Sequence, residues 1–136
     1  MPIKFYEGEY YLLSNFSAHR VMFEGEEYMT SEHAYQVAKF CDPEVRRKIK
    51  DAPSAHLARE YGQSEFGRTP NFDKVDVMKR IMRAKLQQHD DVRAALRATD
   101  GEVIEKNHPL DYFWGTGEDG SGQNVMGKIW MELRNE

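Results

Sequence analysis

Asp111-Tyr-Phe-Trp-Gly-Thr-Gly-Glu-Asp-Gly-Ser-Gly-Gln-Asn124, followed at once by the helical run Val125 to Arg134, is the stretch on which the fold turns. Four of the ten glycines of the chain fall here, at 115, 117, 120 and 122, behind a carboxylate and three consecutive aromatic rings. Glycine costs backbone entropy, so such a cluster implies a loop that needs positive φ or a close approach. A helix entered from a loop aims free N–H groups and its positive dipole end into that loop, which suits phosphate. The segment therefore reads as one wall of a pocket, with a solvated surface loop as the plainer alternative. Gly115-x-Gly117-x-x-Gly120 also matches a dinucleotide fingerprint, but only 16 residues follow Gly120, enough for one helix and no crossover strand. A calcium loop fails as well, because Trp130 stands where the bidentate glutamate would be.

The wider chain supports a single domain over residues 1–136, large enough for its own core. Its 40% hydrophobic and 31% charged content is that of a soluble globular protein, with no membrane-length apolar run and no signal peptide. The lone Cys41 rules out internal disulfides and fits a cytoplasmic location. Five scattered histidines show no zinc spacing, so neither metal nor cofactor is expected. A net charge of −4 speaks against a general nucleic-acid binder, although residues 79–97 are locally basic. Those charges are expected on the exposed face of two helices. A monomer without membrane association is expected.

Residues 3–13 predict short strands, and Ser14 to Ser17 a turn holding a buried ring. Val21-Met22-Phe23, a turn at Glu24-Gly25-Glu26, and Glu27-Tyr28-Met29 predict a hairpin. A helix follows from Ser31 to about Cys41, with Thr30 or Ser31 as cap and Glu32 in its first turn. Glu32, Gln36 and Lys39 recur at i, i+4 and i+7 and so share one stripe, with Tyr35 beside it. A merely solvated, charge-paired stripe would have the same spacing. Further helices are predicted from Asp42-Pro43 to Lys50, from Ser54 to Tyr61 with Arg59 in its last turn, and from Asp73 to His89. The last has Val75, Met78, Ile81, Met82 and Leu86 at core spacing. A helix capped by Asp90 or Asp91 runs to Thr99, and strand character returns around Val103 and Ile104. The sum is an α+β fold, mostly helical, with a small sheet built from the N-terminus and the segment after residue 102.

With these segments in hand, the chain resembles the NADAR (NAD- and ADP-ribose-associated) family, the YbiA-like proteins. The resemblance rests on Leu13-Ser-Asn-Phe16, on Thr30-Ser-Glu-His33 through Gln36 and Lys39-Phe40, and on Asp111-x-x-Trp-Gly-x-Gly through Gly122-x-Asn124-x-x-Gly-Lys128. It implies an N-glycosidase acting on phosphate-bearing ribosides. Relatives cleave phosphorylated intermediates of riboflavin biosynthesis or remove ADP-ribose from guanine in nucleic acid. The family pattern makes Glu32 and Asp111 the acidic pocket residues, Trp114 the aromatic one, and Lys39 an amine participant or phosphate contact. Ser14, Asn15 and Phe16, with Gly115, Gly117, Gly122 and Asn124, would line the ligand; Tyr35, Gln36 and Arg59 join them as binding candidates. Ala34 stands where many relatives carry a large aromatic, which bears on substrate size.

The chemistry wants such groups. Breaking a C–N glycosidic bond builds positive charge on the ribose, which a carboxylate stabilises while another activates water. Trp114 can stack on a planar heterocycle. A Lys39 that forms a Schiff base with the opened sugar needs a depressed pKa. The rival reading is a non-catalytic module that binds ADP-ribose or a nucleotide. Such a reader would need Trp114 and the glycine loop but not Glu32.

Overall fold

The computed structural model describes residues 2–136. Two compact units divide the chain: Asn15–Gln88 forms one, and Met1–Ser14 with His89–Glu136 forms the other. The expected mostly helical α+β architecture is what the structure shows, with six helices, one antiparallel pair of strands and one parallel pair among the described residues.

The Asn15–Gln88 unit starts with a hairpin, β1 (Val21–Phe23) and β2 (Glu26–Tyr28), in the register Val21↔Tyr28 and Phe23↔Glu26. Its two-residue turn places Glu24 and Gly25 at φ 50° and 83°, the paired positive values that a tight primed turn requires. Helix α1 (Ser31–Ala38) is capped by Thr30, whose Oγ1 accepts from the His33 backbone N–H at 3.2 Å. Helix α2 (Pro43–Lys50) has Asp42 as cap and Pro43 in its first turn. Helix α3 (Ala55–Tyr61) is capped by Ser54 and ends at Gly62. Helix α4 (Lys74–Gln88) closes the unit, and α1 lies at its centre, packed on the hairpin and on α2, α3 and α4. Val21, Val37, Phe40, Ile49, Ile81 and Met82 form the core between them.

Three expectations change in this unit. Val75 of α4 is exposed, and the buried stripe continues instead from Ile81 and Met82 to Lys85. Lys85 is 0% exposed, although it was expected on an open basic face, and its Nζ donates to Ser17 Oγ at 2.7 Å. Position 85 lies three and four residues after that pair, so helix geometry carries it inward whatever its side chain. In the turn before β1, Asn15 and Ser17 are buried while the Phe16 ring is half-buried.

The other unit is built on a parallel pair, β3 (Ile3–Lys4) beside β4 (Ile104–Glu105), in the register Ile3↔Ile104. The strands expected across residues 3–13 reduce to these two residues, and Tyr11–Leu13 forms a 3-10 turn. Helix α5 (Asp90–Ala98) starts from His89, which makes no side-chain cap, so neither expected aspartate is the cap. Helix α6 (Val125–Arg134) buries Met126, Ile129, Trp130 and Leu133. Trp130 is fully buried, and its indole N–H donates to the Leu13 carbonyl at 3.0 Å. No helix among the described residues is long and apolar enough to cross a membrane.

Candidate active site

In the Asn15–Gln88 unit, the side chains predicted on one stripe of α1 form a connected array. Glu32 is only 8% exposed, and its Oε2 accepts from Gln36 Nε2 at 2.6 Å. Gln36 Oε1 accepts from Lys39 Nζ at 2.9 Å, and Lys39 also donates to the Gly62 carbonyl at 3.0 Å. A carboxylate only accepts and an ammonium only donates, so the neighbours themselves fix which way the Gln36 amide points. Glu32 and Gln36 are buried and Lys39 is half-buried, so the stripe is not a solvated one.

Lys39 caps the C-terminus of α1, which ends earlier than predicted. Its amine is held below the ordinary lysine range, first by burial and then by the Arg68 charge, with Glu32 and Glu65 opposing and Arg59 assisting. Arg68 arrives on the loop after Gly62. That loop runs antiparallel to the end of α1 through a Phe40↔Arg68 bridge and a Thr69 N–H to Lys39 carbonyl bond of 2.8 Å. Nothing in the sequence signals this approach of Arg68, because the pairing is not periodic.

The turn before β1 meets the start of α1. The Glu32 backbone N–H donates to the Asn15 carbonyl at 3.1 Å. Asn15 is 5% exposed and gives its amide N–H to the Met78 sulfur, while its Oδ1 has no partner among the described residues. The buried Ser31 hydroxyl is likewise unpartnered. Tyr35 packs its ring at a tilt on Phe72, 6.0 Å between centroids. Arg59 is exposed at the end of α3. His33, although conspicuous in sequence, is used by the fold. Its Nε2 donates to the Ala52 carbonyl at 2.9 Å, and its Nδ1 lies 2.8 Å from Thr30 Oγ1.

In the other unit, Asp111 organises the loop after β4. Its Oδ1 accepts from the Phe113 and Trp114 backbone N–H groups at 3.2 and 2.8 Å, and its Oδ2 from Lys106 Nζ at 2.9 Å. Burial pushes its pKa up, but the Lys106 charge and these hydrogen bonds outweigh burial and hold the carboxyl below its usual range. A carboxylate so saturated keeps its charge and is a poor proton acceptor. Lys106 was not singled out in the sequence; a base five residues ahead of an acid is too common a pattern to do so. The Trp114 ring is half-buried and stands edge-on to Phe113 at 4.8 Å. Ser14 closes the 3-10 turn by donating its N–H to the Tyr11 carbonyl.

The glycine loop differs from the anion cradle read in the sequence. The N–H groups of Gln123, Asn124, Val125 and Met126 donate to the carbonyls of Tyr112, Gly115, Phe113 and Trp114 at 2.9–3.1 Å. Two of the α6 N-terminal donors expected to face phosphate, those of Val125 and Met126, are thus taken by the chain itself. Asn124 sits at φ 52° with its amide clamped between the Lys106 N–H and the Ile104 carbonyl, both at 2.9 Å. The glycines serve close approach. Gly117 has φ +73° and lies against the Tyr112 ring, and a side chain on Gly122 would collide with the Gly115 and Thr116 backbone. Thr116, Gly117 and Gly120 do line a shallow cavity of about 420 Å³, but its charged walls are Glu105, Glu118, Asp119 and a single lysine, Lys4. Three carboxylates against one ammonium repel phosphate.

The NADAR domain family profile matches residues 4–136. An N-glycosidase YbiA of Escherichia coli is 34% identical over 98% of this chain and 87% of the relative. An N-glycosidase of Nostoc punctiforme is 32% identical over 100% of this chain and 92% of its own length. A riboflavin biosynthesis protein of Vibrio vulnificus is 39% identical over 99% of this chain but only 38% of the larger protein. The NMR structure of Escherichia coli YbiA superposes with a TM-score of 0.88, covering 99% of this chain and 83% of that one at 34% identity. With its fold, its ordered motifs and nearly its whole length matched, the chain belongs to the NADAR domain family.

Proposed function

We propose that the chain is an N-glycosidase that hydrolyses the C–N glycosidic bond of a phosphate-bearing riboside, acting as one domain over its full length. The observation that carries the reading is the hydrogen-bonded Glu32–Gln36–Lys39 array, buried at Glu32 and Gln36 and half-buried at the amine, whose pKa is lowered. The names of the relatives, N-glycosidase and riboflavin biosynthesis protein, support the reaction class. Guanine carrying ADP-ribose, free or in nucleic acid, and phosphorylated riboflavin-pathway intermediates are the two substrate groups. The free thiol of Cys41 accords with a reducing cytoplasm.

In the proposed course, the bond from C1 to the base breaks and its electron pair leaves with the base. Positive charge gathers on C1 and the ring oxygen, and the Glu32 carboxylate stabilises it. The neutral Lys39 amine forms the new N–C1 bond, and the proton it sheds supplies the one the base needs. Ring opening then moves a bonding pair onto the ring oxygen, which takes a proton, and leaves an imine between C1 and Lys39. Water adds at C1 and releases the lysine, so the net reaction consumes one water. Arg59 and Arg68, the cations that Lys39 senses, are assigned to the phosphate in place of the α6 N-terminus. In the other unit, Asp111 is assigned to holding the turn that carries Trp114.

Borohydride added during turnover tests the covalent step. The expected result is a sugar adduct on the peptide containing Lys39, absent without substrate. Turnover without any trapped adduct, together with an active Lys39→Arg variant, would leave Glu32 to work through water alone.

A further inference from the structure

The middle member of the α1 array sits between two opposite charges. Gln36 lies four residues after Glu32 and three before Lys39, so all three side chains rise from one stripe of the helix. Its amide is the link: Nε2 to Glu32 at 2.6 Å and Oε1 to Lys39 at 2.9 Å. Only a side chain that both donates and accepts can make both bonds at once. The two acceptors of Lys39, the Gln36 amide and the Gly62 carbonyl, are therefore both neutral, and the nearest carboxylate on α1 lies beyond the amide.

Gly62 is fitted to this arrangement. Its backbone has φ −70° and ψ −1°, a conformation any residue adopts, so no backbone reason calls for glycine there. A Cβ at position 62 would, however, collide with Gln36 Oε1 and lie 2.7 Å from its Cδ. The missing side chain at the end of α3 is the space into which the Gln36 amide fits.

We propose that Gln36 is a positioning residue, a neutral amide spacer, seated in the space left by Gly62, that keeps Glu32 and Lys39 from closing into a direct ion pair. Its value for catalysis rests on the reading of Lys39 as the attacking amine, whereas its geometry can be tested without turnover. Burial and the Arg68 and Arg59 charges push the amine toward its neutral form, and Glu32 and Glu65 pull it back. A direct contact with Glu32 would strengthen that pull.

Competitive acetylation of the full chain, read at the Lys39 peptide by mass spectrometry across pH, reports the amine in the absence of substrate. In Gln36→Glu the carboxylate created at 36 pairs with Lys39, and the labelling midpoint is expected to rise by about one pH unit or more. Once protonated, that acid has the shape of the amide and can donate to Glu32. Turnover by this variant should therefore fall as pH rises, while that of the natural protein rises. Gly62→Ala, which changes no charge, is expected to dislodge Gln36 and raise the midpoint as well. It should also lower the melting temperature, and do so by much less in a Gln36→Ala background, where the clash is gone. An unchanged Lys39 midpoint in Gln36→Glu, or a Gly62→Ala loss that is the same with and without Gln36, would overturn the spacer. The expected midpoint shifts in a protein that releases no base would sink the glycosidase reading and leave the spacer standing.

Discussion

The surroundings of Lys39 lower its pKa, and two residue-scale predictions follow from them. Burial leads and Arg68 follows in lowering its pKa from the ordinary 10.5. If the neutral amine attacks, the rate should climb with pH and level off below that ordinary value. A pH–rate profile still rising in proportion to hydroxide beyond it would mean that Lys39 is not the titrating nucleophile. The stability linkage has the opposite sense to that of an ion-paired lysine. Because the folded pKa lies below the unfolded one, the unfolded chain binds more protons between the two values, and stability rises with pH across that window. Glu32→Gln keeps an oxygen to accept from Gln36 and removes the charge. Turnover should fall by more than about tenfold, a barrier change above ~1.4 kcal/mol, with folding stability unchanged within about 1 kcal/mol. Unfolding curves beside steady-state rates check both halves. A Glu32→Gln variant above a tenth of the natural rate would remove that carboxylate from the chemistry.

At the scale of elements, the loop from 111 to 124 is held by Asp111 and not by its glycines alone. Asp111→Ala strands two backbone N–H groups and the Lys106 ammonium, so a loss of about 1–3 kcal/mol is expected. Asp111→Asn keeps an oxygen for the Phe113 and Trp114 N–H groups and should recover part of that loss. Equal destabilisation by the two variants would mean that the ion pair, not the turn, is what matters. The pH dependence carries the usual carboxylate sign. The lowered pKa contributes stability above the unfolded value of 3.8, lost as pH falls through the folded one. Denaturant melts between pH 5 and acid in natural and Asp111→Asn proteins read this directly.

The same scale shows what the sequence could reveal. The caps at Thr30 and Asp42 and the Glu24-Gly25 turn act within a few residues, so residue type alone located them. The stripe of Glu32, Gln36 and Lys39 was legible because helical spacing is regular. What stayed hidden depends on partners distant in sequence. Ile3 finds Ile104 in a parallel pair, Lys85 finds Ser17, and the α6 donors find the 112–115 carbonyls. Nothing in the sequence joins Gly62 to Gln36; its service to that amide appears only once α1 and α3 are packed.

For the whole molecule, the matched length matters more than any one motif. The family profile runs from residue 4 to residue 136, through both compact units, so the motifs of α1 and of the glycine loop belong to one inherited chain. The sequence read the glycine loop as a phosphate cradle and Lys39 as an amine participant or a phosphate contact; Arg68 and Arg59 act on the Lys39 amine, and the loop cavity has an acidic wall. Mass spectrometry of base release, with the full-length protein offered ADP-ribosylated guanosine and, separately, a phosphoribosylamino-pyrimidine, tests the central claim most directly. The account predicts free base and free sugar phosphate from at least one of the two, lost in Glu32→Gln. Tight binding of ADP-ribose with no base released from either substrate would contradict it and make the protein a reader of the nucleotide instead of an enzyme.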